Sequence, residues 1–300
     1  MVPRMTYEQA VRAWRREPGT EAAVRDAYLD EDPVPAAQRF GESPEFAFTD
    51  TLLRGFLGGA PAPLLLDVGA GNGIASFAFA RAGYRVVAAE PGTSEEVGAR
   101  AIRSLAAQTR VTLPVVCAAG EGLPFPSETF DCVYARQVLH HARDLFRMAG
   151  EAARVLKPGG IFLAAREHVA DDEMQLARFL AEHPLQKYHA EENAYPVARY
   201  LEALQAAGLR VRRVFHPLSA VINFAPRTET EVDAQAVTWA RAKLGPLASW
   251  IGRTASWRRL YRFRAGRDRW PGRLYSFVAQ KRRRSGWEGS RIGPGSRMTG

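Results

Sequence analysis

Glycines at 69, 71 and 73 follow an apolar run that carries Asp67 near its end, and a carboxylate, Glu90, closes the next apolar run. Glycines at alternate positions let the backbone turn tightly with no Cβ in the way. Where such a turn joins a strand to a helix, ligands bind in the crevice at the carboxyl ends of the strands. Glu90 stands about 20 residues beyond the loop, the distance at which an acid accepts hydrogen bonds from both hydroxyls of a ribose. Loop, strand context and acid together point to a ligand site in which the acid meets a ribose. A second group, His140, His141, Glu167 and His168, has the residue types that move protons, because histidine titrates near neutrality and a carboxylate is a second acid or base.

For these groups to meet, the chain must bring them to one edge of a sheet. Residues 1–60 read as a helical cap: apolar positions in YEQAVRAWRRE recur at three and four, and EFAFTDTLLRGFL closes before Gly58-Gly59 and Pro61. The pattern then changes to short apolar runs separated by helical stretches, which indicates βαβ units and a parallel sheet. Expected strands are LLLDV (64–68), RVVAAE (85–90), VVCAA (115–119), FDCVYA (130–135), IFLAARE (161–167), VRRVFH (211–216) and RLYSFVAQK (273–281). A helix over SEEVGARAIRSLAAQ is expected to start at Ser94 as N-cap, with two glutamates in its first turn. Another, over 144–156, should stop at Lys157-Pro158-Gly159-Gly160. If the last two strands pair, the roughly 55 residues between them exceed any hairpin loop and should form a helical substructure. The fold expected is α/β: a Rossmann-like, doubly wound, seven-stranded and mostly parallel sheet.

The glycine spacing separates two ligand classes. Dinucleotide sites use GxGxxG, and that pattern cannot be drawn from Gly69 or Gly71; the loop reads GxGxG. LLLDVGAGNGIASFAFARAGYRVVAAEP resembles motif I of the class I S-adenosylmethionine-dependent methyltransferases. The resemblance runs over about residues 61–170: AAGEGLPFPSETFDCVYARQVLHHARD and EAARVLKPGGIFLAARE are similar to the following stretches of the small-molecule branch often called type 11. It implies S-adenosylmethionine as cofactor, with Asp67, Gly69, Gly71 and Gly73 at the loop, Glu90 on the ribose, Gly120 and Glu121 beside the adenine, and Arg136 in the same set. Ala119 departs from the aspartate common in the family at that position. Methyl transfer is an in-line displacement, so the protein mainly aligns donor and acceptor and excludes water. A hydroxyl acceptor also needs a base, and the candidates in order are His141, His140 and Glu167. The polar and aromatic stretch HPLQKYHAEENAY offers Tyr188, His189 and Asn193 as acceptor contacts; the alternative is a solvated connection.

Composition bounds the remainder. The chain of 300 residues has no apolar run long enough for a membrane span and no signal-peptide pattern, so a cytoplasmic location is expected. Cys117 and Cys132 read as buried core residues, and no zinc spacing is present, so neither disulfide nor metal is expected. From Arg253 on there are 14 basic residues and two acids, leaving 27 basic against 30 acidic residues in 1–252. That basic, aromatic segment is equipped to meet nucleic acid, anionic lipid or an anionic substrate; the plain alternative is a solvated helix face. The organisation expected is a cap (1–60), a cofactor-binding core (61–170), a remainder with substrate-covering helices (171–280) and a disordered basic tail (281–300). The function expected is methyl transfer to a small-molecule acceptor, on O or N, by a monomer or homodimer. Competing readings are a non-catalytic scaffold, a nucleic-acid-associated methyltransferase and an NAD-dependent oxidoreductase.

Overall fold

The computed structural model describes residues 5–189, 192–267 and 269–283; the expected tail from residue 284 on lies outside them. The cap consists of α1 (Tyr7–Arg15), α2 (Glu21–Asp26), α3 (Pro33–Gly41) and α4 (Pro44–Leu57). Their starts are written locally. Thr6 and Gln9 make a reciprocal capping box, Asp32 and Ser43 each accept a backbone N–H, and prolines begin α3 and α4. The α/β succession then runs β1 (Leu64–Val68), α5 (Ile74–Arg81), β2 (Arg85–Ala89), α6 (Ala99–Thr109), β3 (Val115–Val116), β4 (Phe130–Arg136), α7 (Leu145–Val155) and β5 (Leu156–Val169). It continues with α8 (Glu173–Glu182), α9 (Gln186–His189), α10 (Val197–Ala206), β6 (Leu209–Phe215), α11 (Val221–Phe224), α12 (Glu229–Leu244), α13 (Ser249–Gly252), α14 (Ala255–Ala265) and β7 (Arg273–Lys281).

The sheet order is β3-β2-β1-β4-β5-β7-β6, parallel except for β7, which pairs antiparallel with both β5 and β6. Strands β1, β4 and much of β5 are near-continuous apolar runs because both faces of a central parallel strand are covered. One face packs Phe77 and Phe79 of α5 against Tyr134, Phe40 and Phe46, so the cap shares the core of the sheet. The other face packs Met148 and Ala152 of α7 with Phe162, Tyr200 and Phe277.

Three details differ from the sequence expectation. Helix α6 begins at Ala99, not Ser94: the Ser94 hydroxyl accepts from the N–H groups of Glu96 and Val97, which closes a separate turn. Glu96 is thereby freed from a helical first turn and pairs with Arg12 (2.7 Å) and Arg15 of α1. Cys117 is exposed, not buried, because β3 is a two-residue edge strand that ends before it; Cys132, on a central strand, is buried as expected. The Lys157-Pro158-Gly159-Gly160 segment does end α7, but it is already the extended start of β5.

Between cap and sheet lies a charge cluster. Glu45, 1% exposed, meets Arg136 in a two-point contact (Nε 2.6 Å, Nη2 3.1 Å) and Arg166 at 3.5 Å. Burial pushes the Glu45 carboxyl up, and the two guanidiniums more than reverse this, holding it below its ordinary range. Glu45→Ala would leave two buried cations with no anion between them. The expected cost is about 3–5 kcal/mol in a urea titration, with Glu45→Gln recovering only part of it. A loss under about 1 kcal/mol would show that solvent reaches the cluster.

Candidate active site

The glycine loop is built by its surroundings. Gly69 holds φ +64° and donates its N–H to Ala89 O (2.8 Å); a Cβ there would stand 2.6 Å from a methyl of Val138. Only glycine satisfies both the left-handed backbone and the close approach of the β4 loop. Gly73, also left-handed, opens α5, and Ile74 and Ala75 of its first turn line the same crevice. Asp67 is buried below the loop and accepts the Ser76 hydroxyl (2.6 Å). Burial pushes its carboxyl up to about 7 against that hydrogen bond, so Asp67 supports the loop from beneath.

Glu90 sits at the end of β2 with one oxygen on the Gly71 N–H and the other on the Gly92 N–H, each at 2.8 Å. Burial raises its pKa, and these two donors offset part of the rise. A carboxylate has about four lone-pair sites, so two remain for hydroxyl donors. Around it lies a cavity of about 660 Å³ lined by the loop, Asp67, Glu90, Ala119, Gly120, Glu121, Arg136, His141 and Met148, and by Tyr7, Leu29 and His189. That volume is of the size that takes a cofactor with part of a second molecule.

The proton-moving residues are also brought together, in layers. Leu139–His141 form a single 3₁₀ turn after β4. His141 lines the cavity, and its Nε2 is 3.7 Å from the Glu192 carboxylate. His140 points inward, 1% exposed, with Nδ1 2.7 Å from Glu167 Oε2. Glu167, fully buried at the end of β5, also accepts the N–H groups of Val138 (3.2 Å) and His140 (3.1 Å). Burial drives the His140 imidazole well below its ordinary range and pushes the Glu167 carboxyl up to about 7. We read the pair as neutral imidazole donating Nδ1–H to a carboxylate held by backbone donors. His168 packs its ring edge-on against His140 (4.8 Å between centroids), with Nδ1 on Gly272 O (2.8 Å). His140, His141 and Glu192 could also hold a divalent cation, since their ligand atoms lie within 4.8 Å of one another. Ligands around one zinc ion stand about 3.3 Å apart, and the spread of up to 4.8 Å here suits polar contact between the imidazoles and the Glu192 carboxylate better.

Other expected residues fall in different places. Arg136 reaches the cavity wall, and its guanidinium is bound to Glu45 of the cap. Glu121 accepts the Arg143 N–H (2.9 Å) and ties the loop after β3 to that after β4. Of the three acceptor-contact candidates, His189 lines the cavity. Tyr188 donates its hydroxyl to Glu17 (2.9 Å) in the cap, and Asn193 lies beside Tyr195. Sequence reading missed Tyr7, whose ring meets His189 edge-on (5.5 Å) in the cavity wall, and Glu192. Tyr7 was readable only as an apolar position of α1; Glu192 carried no local signal.

The comparisons agree with this geometry. A family described as "Methyltransferase domain" matches residues 66–164. The chain is 31% identical over 182 residues to a ubiquinone biosynthesis O-methyltransferase of Paramagnetospirillum magneticum, covering 58% of this chain and 70% of that protein. Among solved structures, geranyl diphosphate C-methyltransferase from Streptomyces coelicolor A3(2) superposes with a TM-score of 0.56 at 16% identity, over 94% of this chain and all of that one. A putative sarcosine dimethylglycine methyltransferase from Galdieria sulphuraria gives 0.53 at 17% identity, over 84% and 88%. At such identities the structural likenesses speak to the fold alone.

Proposed function

The chain belongs to the S-adenosylmethionine-dependent methyltransferases, and from that premise we propose that it methylates a hydroxyl of a small-molecule acceptor. The observation that carries this is His141: it opens on the cofactor cavity with an acid behind its ring, where a hydroxyl approaching the methyl donor needs a base. The relatives named O-methyltransferases support oxygen as the nucleophile. The residues present fit the cofactor, since Glu90 keeps acceptor sites for a ribose and Gly69 and Gly71 line the cavity without a Cβ. When bound, the cofactor supplies an electrophilic methyl on a sulfonium.

The protein's own parts divide the work. Gly69 and Gly71 face the methionine portion, Glu90 holds the ribose, Gly120 and Glu121 flank the base, and Tyr7, Leu29 and His189 add a wall against water. His141 takes the acceptor proton, and Glu192 stabilises the imidazolium that results. Glu167 and His140 lie behind and fix the turn on which His141 stands. Alignment supplies the rest of the rate.

The test is transfer of labelled methyl from S-adenosylmethionine to a panel of phenols, catechols, aliphatic alcohols and amines, with mass spectrometry locating the methyl group. A methyl ether is the expected product. Label found only on nitrogen, or on no acceptor of the panel, would overturn the hydroxyl assignment.

A further inference from the structure

The basic, aromatic segment between β6 and β7 plays no part in the chemistry above, and its side chains divide by face. On α14, Trp257, Arg258, Tyr261 and Arg262 turn toward α12. Trp257 Nε1 donates to Ala236 O (3.0 Å), Arg258 meets Asp233 (2.5 Å), Tyr261 meets Gln235 (3.1 Å), and Arg262 meets Glu229 and Asp233. The outer face carries Arg259, Leu260, Phe263 and Arg264, and Arg267 follows just past the helix end. Leu260 and Phe263 are 44% and 56% exposed, and Trp270, in the link to β7, is 40% exposed. Arg259, Arg264 and Arg267 make no ion pair among the described residues, and the Arg267 guanidinium lies 4.0 Å above the Phe263 ring. The acids of α12 therefore neutralise the inner arginines and leave the outer ones without an acidic partner among the described residues, beside exposed apolar groups.

We propose that this face docks on an anionic phospholipid bilayer. Large apolar side chains flanked by arginines match the headgroup boundary, where rings and aliphatic groups enter the acyl region and guanidiniums pair with phosphates. A second copy of the chain would set arginine against arginine. A nucleic acid would use the charge and the rings but would bury Leu260 against nothing of its kind. Trp270 leads into β7, whose first residue, Arg273, pairs with Val169 at the carboxyl end of β5, so the link that carries Trp270 enters the sheet at the end that bears Glu167.

The experiment is co-sedimentation of the full chain with vesicles of phosphatidylcholine alone, and of equal parts phosphatidylcholine and phosphatidylglycerol. Partitioning should be about tenfold or more stronger on the anionic vesicles. L260S/F263S, which keeps every arginine, should weaken it about tenfold, and R259Q/R264Q/R267Q should do the same. Circular dichroism and S-adenosylhomocysteine binding serve as folding controls for each variant. Equal partitioning on both vesicles, or anionic partitioning that survives both sets of substitutions, overturns the proposal. So does substitution-sensitive binding to a single-stranded oligonucleotide without binding to vesicles, which would make nucleic acid the partner.

Discussion

Replacing His141 with alanine is expected to lower kcat by about 10²–10⁴-fold, the usual contribution of a positioned general base, with the dissociation constant for S-adenosylhomocysteine changed by less than about threefold. The split follows from position. His141 is in the cavity wall but on a different element from the glycine loop and Glu90, so its loss removes a proton acceptor and no cofactor contact of the nucleoside end. The rate of the variant should rise with pH where the parent has levelled, because hydroxide and ionised acceptor replace the missing base. Glu167→Gln should give a smaller fall, since Glu167 acts through the turn that holds His141 and touches no reacting atom. Single-turnover measurements at saturating cofactor separate these effects. A His141→Ala variant within about threefold of the parent would mean an acceptor that needs no base, as for an amine.

Glu90→Ala is expected to raise the dissociation constant for S-adenosylhomocysteine by about 10²–10³-fold. Hydrogen bonds to a charged acceptor contribute about 1.5–3 kcal/mol each, and two ribose hydroxyls would lose theirs together. The Gly71 and Gly92 N–H groups would lose their acceptor as well, so the loop itself loosens. Glu90→Gln separates the two effects: its one carbonyl oxygen can keep one of these loop contacts while its amide group presents donors where acceptors are needed. Calorimetric titration should therefore rank parent, then Gln, then Ala. If Glu90→Ala binds within about threefold of the parent, Glu90 serves the loop alone and the ribose is held elsewhere.

How much of this was legible beforehand depends on the range of the interaction concerned. The loop, Glu90 and the seven strands were readable because each is coded within a few residues: a period of two or a continuous apolar run, a glycine where φ must be positive, an acid at a strand end. The start of α6 was misread because Ser94 satisfies capping chemistry equally well in an isolated turn, and only the pairing of Glu96 with α1 decides between the two. Cys117 was misplaced because an apolar run does not announce whether its strand is central or at an edge. The pairing of Arg136 with Glu45 was not legible, because the two lie 91 positions apart. Tyr7 and Glu192 went unnoticed for the same reason, being brought to the cavity wall and to His141 only by neighbours distant in the chain.

The contact of Arg12 and Arg15 with Glu96 has a kinetic meaning. Helix α1 gives one wall of the cavity through Tyr7, and the turn holding Glu96 gives another through Val97, so these three charged side chains join two walls and would act as a clasp on whatever the cavity holds. Fastening and binding are then reciprocal: whatever tightens one tightens the other by the same factor. Ionic strength would act on the clasp first, since Arg12 is open to solvent. The residence time of the cofactor would thus be set in part by side chains that never touch it.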